Sequence, residues 1–175
     1  MHTVGELMRS GAALCPICHN LLELHDSYRR HCRDESGKRH YGWVAQGHCA
    51  TCDKYPALIP DFIKPYKHYK ADVIERAISE TEAGNNVEDL GGCAADASTM
   101  RRWVREFKAR GEQAVDSLFS KLPTVHTEHI GSYNLQDMTL LQQLARLLCE
   151  YPVSESSGVI GATNIILTTQ NCGFL

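Results

Sequence analysis

A chain of 175 residues suits one domain of moderate size or two small ones, and 43% hydrophobic with 22% charged residues is the balance of a globular protein, not a disordered one. No apolar run reaches the roughly 18–20 residues of a membrane helix, and Met1 to Ala13 lacks the basic-then-apolar layout of a secretory leader, so a cytoplasmic protein with reduced thiols is expected. The net charge of −3 argues against general polyanion affinity, yet it is unevenly spread: residues 1–70 hold ten Lys or Arg against seven Asp or Glu, residues 71–111 six against eight, and residues 112–175 two against six.

The first dozen residues fit either a short helix or a loose arm. Next come Cys15-Pro16-Ile17-Cys18 and, after 30 intervening residues, Cys49-Ala50-Thr51-Cys52. Two C-x-x-C pairs are the pattern of one tetrahedral four-thiolate zinc site, each pair forming a knuckle with its amides turned to the sulfurs. Two disulfides, or four unrelated buried cysteines, are the alternative. Such a site is coordinatively closed, so a single structural Zn²⁺ would hold the fold and leave no position for substrate. The long interval suits a zinc ribbon whose β-hairpin bridges the knuckles. Cys32, Cys93, Cys149 and Cys172 have no partner at ligand spacing and are expected to be small buried side chains. His19 and His48 adjoin ligand cysteines but are surplus to a complete site.

The hairpin itself is legible. Alternation from Leu22-Glu23-Leu24-His25 to Tyr28 is strand-like, Asp34-Glu35-Ser36-Gly37-Lys38 is a turn, and Tyr41, Trp43 and Ala45 share one face of the return strand. Arg29, Arg30, Arg33, Lys38 and Arg39, interleaved with His25, His31 and His40, make either a nucleic-acid-facing hairpin or a solvated surface. Tyr55-Pro56-Ala57-Leu58-Ile59 reads as a third strand. Pro60 and Pro65 break regular structure, and Pro65-Tyr66-Lys67-His68-Tyr69 reads as a linker.

From Ala71 the period becomes helical: Ala71, Ile74, Ala77, Ile78 and Thr81 share a face, and Gly84-Asn85 stops the helix. Asn86 can cap a short second helix, Leu90 points inward and Gly91-Gly92 turns the chain. Asp96 caps a third helix expected to run to about Arg110 and stop at Gly111, with Met100, Trp103, Val104 and Phe107 as its core stripe. Ser98, Thr99, Arg101, Arg102, Arg105 and Lys108 lie elsewhere on it, the cations on its outer face. Helix, short helix, glycine turn and arginine-faced helix make a helix-turn-helix. The N-terminal half of such a recognition helix reads base edges, where an arginine grips guanine with two hydrogen bonds; Arg105, Lys108 and Arg110 would meet phosphates. A solvated amphipathic face is the plainer alternative.

Beyond Gly111, a short helix over Gln113–Leu118 is expected to end by Pro123, with loop at 124–133. Asn134 can cap a helix through Glu150 carrying Leu135, Met138, Leu141, Leu144, Leu147 and Leu148. That stripe either packs on its own domain or is a homodimer surface spanning residues 135–148. Val159-Ile160 and Ile165-Ile166-Leu167 read as a strand. The fold class is therefore α+β: a small β zinc ribbon over 1–64, an α-helical helix-turn-helix region over 65–111, and a C-terminal helical extension and tail over 112–175.

The linked pattern Cys15-Pro16-x-Cys18, His25-x-x-Tyr28-Arg29-Arg30, Cys49-x-x-Cys52, Tyr55-Pro56-Ala57-Leu58-Ile59-Pro60-Asp61-Phe62 and Pro65-Tyr66 resembles the N-terminal zinc-ribbon region of insertion-sequence transposases. It is more similar still to short bacterial proteins associated with those elements. Ser98-Thr99-Met100-Arg101-Arg102-Trp103 resembles their recognition-helix motif, and the likeness covers about residues 15–111. It implies zinc on the four cysteines and element-end DNA against Ser98, Thr99, Arg101, Arg102, Arg105 and Lys108, with Arg29 and Arg30 of the ribbon assisting. The catalytic part of such transposases is a carboxylate triad in an RNase-H-like domain. Only 64 residues follow Gly111 here, and Asp116, Asp137 and Glu150 fall on predicted helices or their edges. No nucleophile elbow, P-loop or H-E-x-x-H motif is present, and Cys93 has no defined base. The expectation is a non-enzyme that binds double-stranded DNA, with no small-molecule substrate and no membrane partner. A zinc-ribbon adaptor using the leucine stripe, or RNA binding through the basic hairpin, are the competing readings.

Overall fold

The computed structural model describes residues 13–60, 62–64, 67–120, 122, 135–151 and 158–168. The N-terminal arm, Pro65-Tyr66, Pro123, the 124–133 loop, the Asn134 cap and Cys172 lie outside them. The architecture is α+β. Three antiparallel strands, β1 (Glu23–Arg33), β2 (Arg39–His48) and β3 (Ala57–Leu58), form one sheet in the order β1-β2-β3. Among the described residues four helices follow: α1 (Ala71–Glu82), α2 (Ala97–Phe119), α3 (Leu140–Leu148) and α4 (Gly158–Thr168).

The hairpin has the register the turn demands. Arg33 faces Arg39, His31 faces Tyr41 and Arg29 faces Trp43, with a bulge between Leu24 and Asp26. The turn closes through Gly37, at φ +82°, with its N–H donating to Asp34 O at 3.0 Å; positive φ is cheap only for glycine. The third strand is shorter than expected, because only Ala57 and Leu58 find partners, in Gln46 and Ala45.

Two cores result. Ala13, Cys15, Leu22, Ala45 and Cys49 pack as a small cluster at the cysteine end of the sheet. The larger core joins all four helices around Ile74, Ile78, Trp103, Phe107, Leu118, Leu144, Leu147 and Ile160. Helix α1 ends in a Schellman arrangement: Gly84 N–H donates to Thr81 O and Asn85 N–H to Glu80 O, with Gly84 at φ +93°.

Several expectations are corrected. The second helix is a single 3₁₀ turn, Val87–Asp89, with no side-chain cap from Asn86. Gly111 does not stop α2, which runs on to Phe119 through the expected 111/112 boundary, so the helix expected at Gln113–Leu118 is its continuation. Gly111 is buried beneath Leu140, whose Cδ1 would lie 2.9 Å from an added Cβ, so a glycine is used for close helix packing and its propensity cost of about 1 kcal/mol is overridden. Helix α3 starts at Leu140 with a Thr139–Gln142 capping box, after a 3₁₀ turn at Leu135–Asp137. The strand expected around Ile165–Leu167 is instead part of α4. Leu141, Leu144 and Leu147 are buried in the chain's own core, so this part of the leucine stripe packs on its own domain, the first of its two expected roles.

Candidate metal centre and basic surfaces

The two C-x-x-C segments fold alike. Cys15 N–H donates to Asn20 O and His19 N–H to Cys15 O; Cys49 N–H donates to Lys54 O and Asp53 N–H to Cys49 O, all between 2.8 and 2.9 Å. His19 (φ 59°) and Asp53 (φ 50°) occupy the same left-handed position one residue after each second cysteine, a conformation His and Asp tolerate better than most side chains. Asn20 Nδ2 donates to Thr51 Oγ1 at 2.7 Å and ties one knuckle to the other.

These turns bring the four sulfurs within 4.8 Å of one another, and Cys18 and Cys49 Sγ are 3.4 Å apart. Tetrahedral thiolate coordination at about 2.3 Å places sulfurs about 3.8 Å apart, so the set fits a metal ion. Cys15 and Cys49 are fully buried, Cys18 and Cys52 partly exposed. Amide donation from Cys18 and then Ile17 lowers the Cys15 thiol to about 7, while its hydrogen bond with Cys18, then burial, pushes Cys52 up to about 12. Without a cation four such thiols cannot ionise together; a bound cation removes that conflict. No other cluster of this kind occurs among the described residues.

The remaining cysteines divide. Cys32 is buried, as expected, and its thiol is raised by burial. Cys93 is half-buried and Cys149 is exposed, its Sγ against Ala145 O, so the expectation of burial fails there.

The outer face of α2 carries its cations as expected, but they are not equivalent. Asp96 caps the helix by accepting from Thr99 N–H at 2.9 Å, and it also accepts from the hydroxyls of Ser98 and Thr99. Those two side chains are thereby engaged in the cap. Arg101 is ion-paired with Glu88 from the 3₁₀ turn. Arg102, Arg105 and Lys108 are exposed and have no ion-pair partner among the described residues.

The hairpin arginines also part company. Arg30 is half-buried and Nη2 donates to the carbonyls of Lys64 at 2.7 Å and Lys67 at 3.2 Å. It serves in the structure as a strut between strand and linker. Arg33 exchanges backbone bonds with His68 and Lys70, Glu35 pairs with Arg76, and Ala94 N–H donates to Glu35 O. The hairpin turn thus rests on α1 and on the loop leading into α2. Arg29, by contrast, is exposed with its guanidinium 4.0 Å from the Tyr41 ring centre. Beside it Tyr41 is 53% and Trp43 66% exposed, a pair of solvent-facing rings that alternation alone did not distinguish from the buried Ala45. Position along the strand was the missing signal: Ala45 lies where β3 pairs, opposite Leu58, and packs in the cysteine-end cluster. No helix is long and apolar enough to cross a membrane among the described residues.

A model of a domain of unknown function (DUF6431) matches residues 15–103, from the first clustered cysteine to the second turn of α2. No curated protein and no solved structure matches the chain.

Proposed function

The chain belongs to the DUF6431 family, and from that premise we propose that it is a zinc-dependent, non-catalytic DNA-binding protein. The matched span joins the cysteine cluster to the start of α2, so the family's unit includes both the ribbon and the first turns of the basic helix. Zinc is the metal best suited to four thiolates in a closed set. The sheet is read as a zinc ribbon and α1, the 3₁₀ turn and α2 as a helix-turn-helix that lays α2 in the major groove.

The observation that carries this reading is the row of exposed cations Arg102, Arg105 and Lys108, without an ion-pair partner among the described residues, on one face of a helix fixed from behind by Trp103 and Phe107. Arg102 is placed for base edges; Arg105 and Lys108 meet phosphates. Arg101 would have to leave Glu88 to join them, and Ser98 and Thr99 serve by holding the helix start. The sequence likeness to transposase recognition regions makes mobile-element DNA the favoured class of target, in a regulatory or accessory role. The adaptor alternative is less favoured, because Leu141, Leu144 and Leu147 of its stripe are buried in the chain's own core.

The test is fluorescence anisotropy of zinc-loaded protein with duplex DNA across a salt series. Affinity should fall steeply with salt and drop with chelation. Unchanged binding by an Arg102→Ala/Arg105→Ala variant would sink the helix assignment, and no binding at low salt would sink DNA binding altogether.

A further inference from the structure

The β1–β2 hairpin carries a second surface that duplex binding by α2 does not use. In β1 from Ser27 and in β2 up to Ala45, the odd-numbered residues share one face, as the register requires. No Asp or Glu stands on that stretch of it. Trp43 is 66% exposed and Tyr41 53%, whereas the other tryptophan, Trp103, is 1% exposed. Large rings are normally kept from water at such positions. Arg29, cross-strand partner of Trp43, lies over Tyr41. His31 sits against both Tyr41 and His68, its ring nearly parallel to the latter. Burial first, and then Coulombic repulsion with Arg39 the largest contributor, holds His31 below its ordinary value.

We propose that this face, built from Arg29, His31, Arg39, Tyr41 and Trp43, binds unpaired nucleotides of a single-stranded nucleic acid. The bare Trp43 ring takes one base by stacking. The guanidinium of Arg29, itself a plane backed by Tyr41, takes a neighbouring one. Arg39 and His31 meet the connecting phosphates. The spacing selects strandedness: residues two apart on a strand stand about 6.8 Å apart, while bases in a duplex follow each other at about 3.4 Å and stack on one another. Rings so spaced suit bases already unstacked. An acidic peptide would match the charge but leave the rings without purpose. The inference does not depend on α2 being a recognition helix.

The exposure difference supplies the assay. With zinc-loaded full-length chain, an unlabelled oligothymidylate should quench the emission of exposed Trp43 saturably. A duplex should compete at that site weakly, and polyglutamate should not quench. Trp43→Thr, which keeps a strand-forming residue, should weaken single-strand binding measured by anisotropy about ten-fold or more, and Trp43→Phe should restore most of it. Arg29→Ala with Arg39→Ala should weaken binding and flatten its salt dependence. Arg102→Ala/Arg105→Ala should leave single-strand binding intact while lowering duplex binding, so failure of either reading is visible separately. The proposal is overturned if Trp43→Thr binds the oligonucleotide as tightly as the wild type, if polyglutamate quenches equally, or if no single strand binds at low salt. It is likewise overturned if Trp43 emission changes with protein concentration alone, which would mark the face as a contact between copies of the chain.

Discussion

Asp96 shows how much one side chain arranges. Its carboxylate accepts from Ser98, Thr99 N–H and the Thr99 hydroxyl, which hold it at about 2, below its ordinary 3.8. A depressed carboxylate stabilises the fold at pH values above 3.8, and that contribution disappears as pH falls from 3.8 through about 2. The thermal midpoint of Asp96→Asn should therefore lie below wild type at neutral pH and converge with it across that acid window in circular-dichroism melts. Convergence at a higher pH would assign the acid sensitivity to another group. Gly37 is the complementary case. It combines φ +82° with an added Cβ only 2.8 Å from Ala94 Cβ, so Gly37→Ala should cost about 1–3 kcal/mol in urea unfolding. Both residues announced themselves in the sequence, one as a cap and one in a polar turn. Arg30 did not: nothing in its spacing separates it from Arg29, and only the fold points one at linker carbonyls and leaves the other over Tyr41.

At the scale of elements, local chemistry was readable where one residue decides the outcome and unreadable where a distant partner does. The cysteine knuckles, the hairpin and the start of α2 stand where their spacing puts them. The end of α2 and the nature of α4 do not, because Leu140 covers Gly111 and Glu75 receives Ile160 N–H at 3.0 Å. Glu82 likewise accepts from Leu141 N–H. Two carboxylates of α1 thus meet the N-terminal turns of α3 and α4, where unpaired amides and the helix dipole favour negative charge. Glu75→Ala should lower stability by about 1 kcal/mol and speed hydrogen exchange first in residues 158–168. Uniform acceleration over the whole helical core would assign Glu75 a different role. A metal held by the four cysteines would act on the other core. Structural zinc contributes about 10–16 kcal/mol in small sites, more than the few residues beside the cysteines can replace. Chelation should therefore abolish exchange protection of β1 and β2 while α1 and α2 keep much of theirs. A single cooperative loss of all elements would show that the hairpin's contacts through Glu35 and Arg30 couple the two cores completely.

On the scale of the whole molecule, the charge budget explains why the formal total misleads. The acidic residues of the helical body are partly occupied internally, as Glu75, Glu82 and Glu88 show, whereas Arg102, Arg105 and Lys108 stand free of ion pairs among the described residues. A protein of net charge −3 can thus present a cationic helix to a polyanion. Each phosphate neutralised contributes about 0.9 to the slope of log affinity against log salt. With Arg105 and Lys108 on phosphates and Arg102 on a base edge, replacing all three by alanine should reduce that slope for duplex DNA by about 1.8, measured by anisotropy between low and moderate salt, with affinity falling more for one duplex sequence than for others, since a base contact discriminates sequences without releasing a counterion. A loss of about 2.7, equal for all duplex sequences, would place Arg102 on a phosphate as well. An unchanged slope would remove α2 from the interface and leave the aromatic hairpin face as the nucleic-acid surface of the chain.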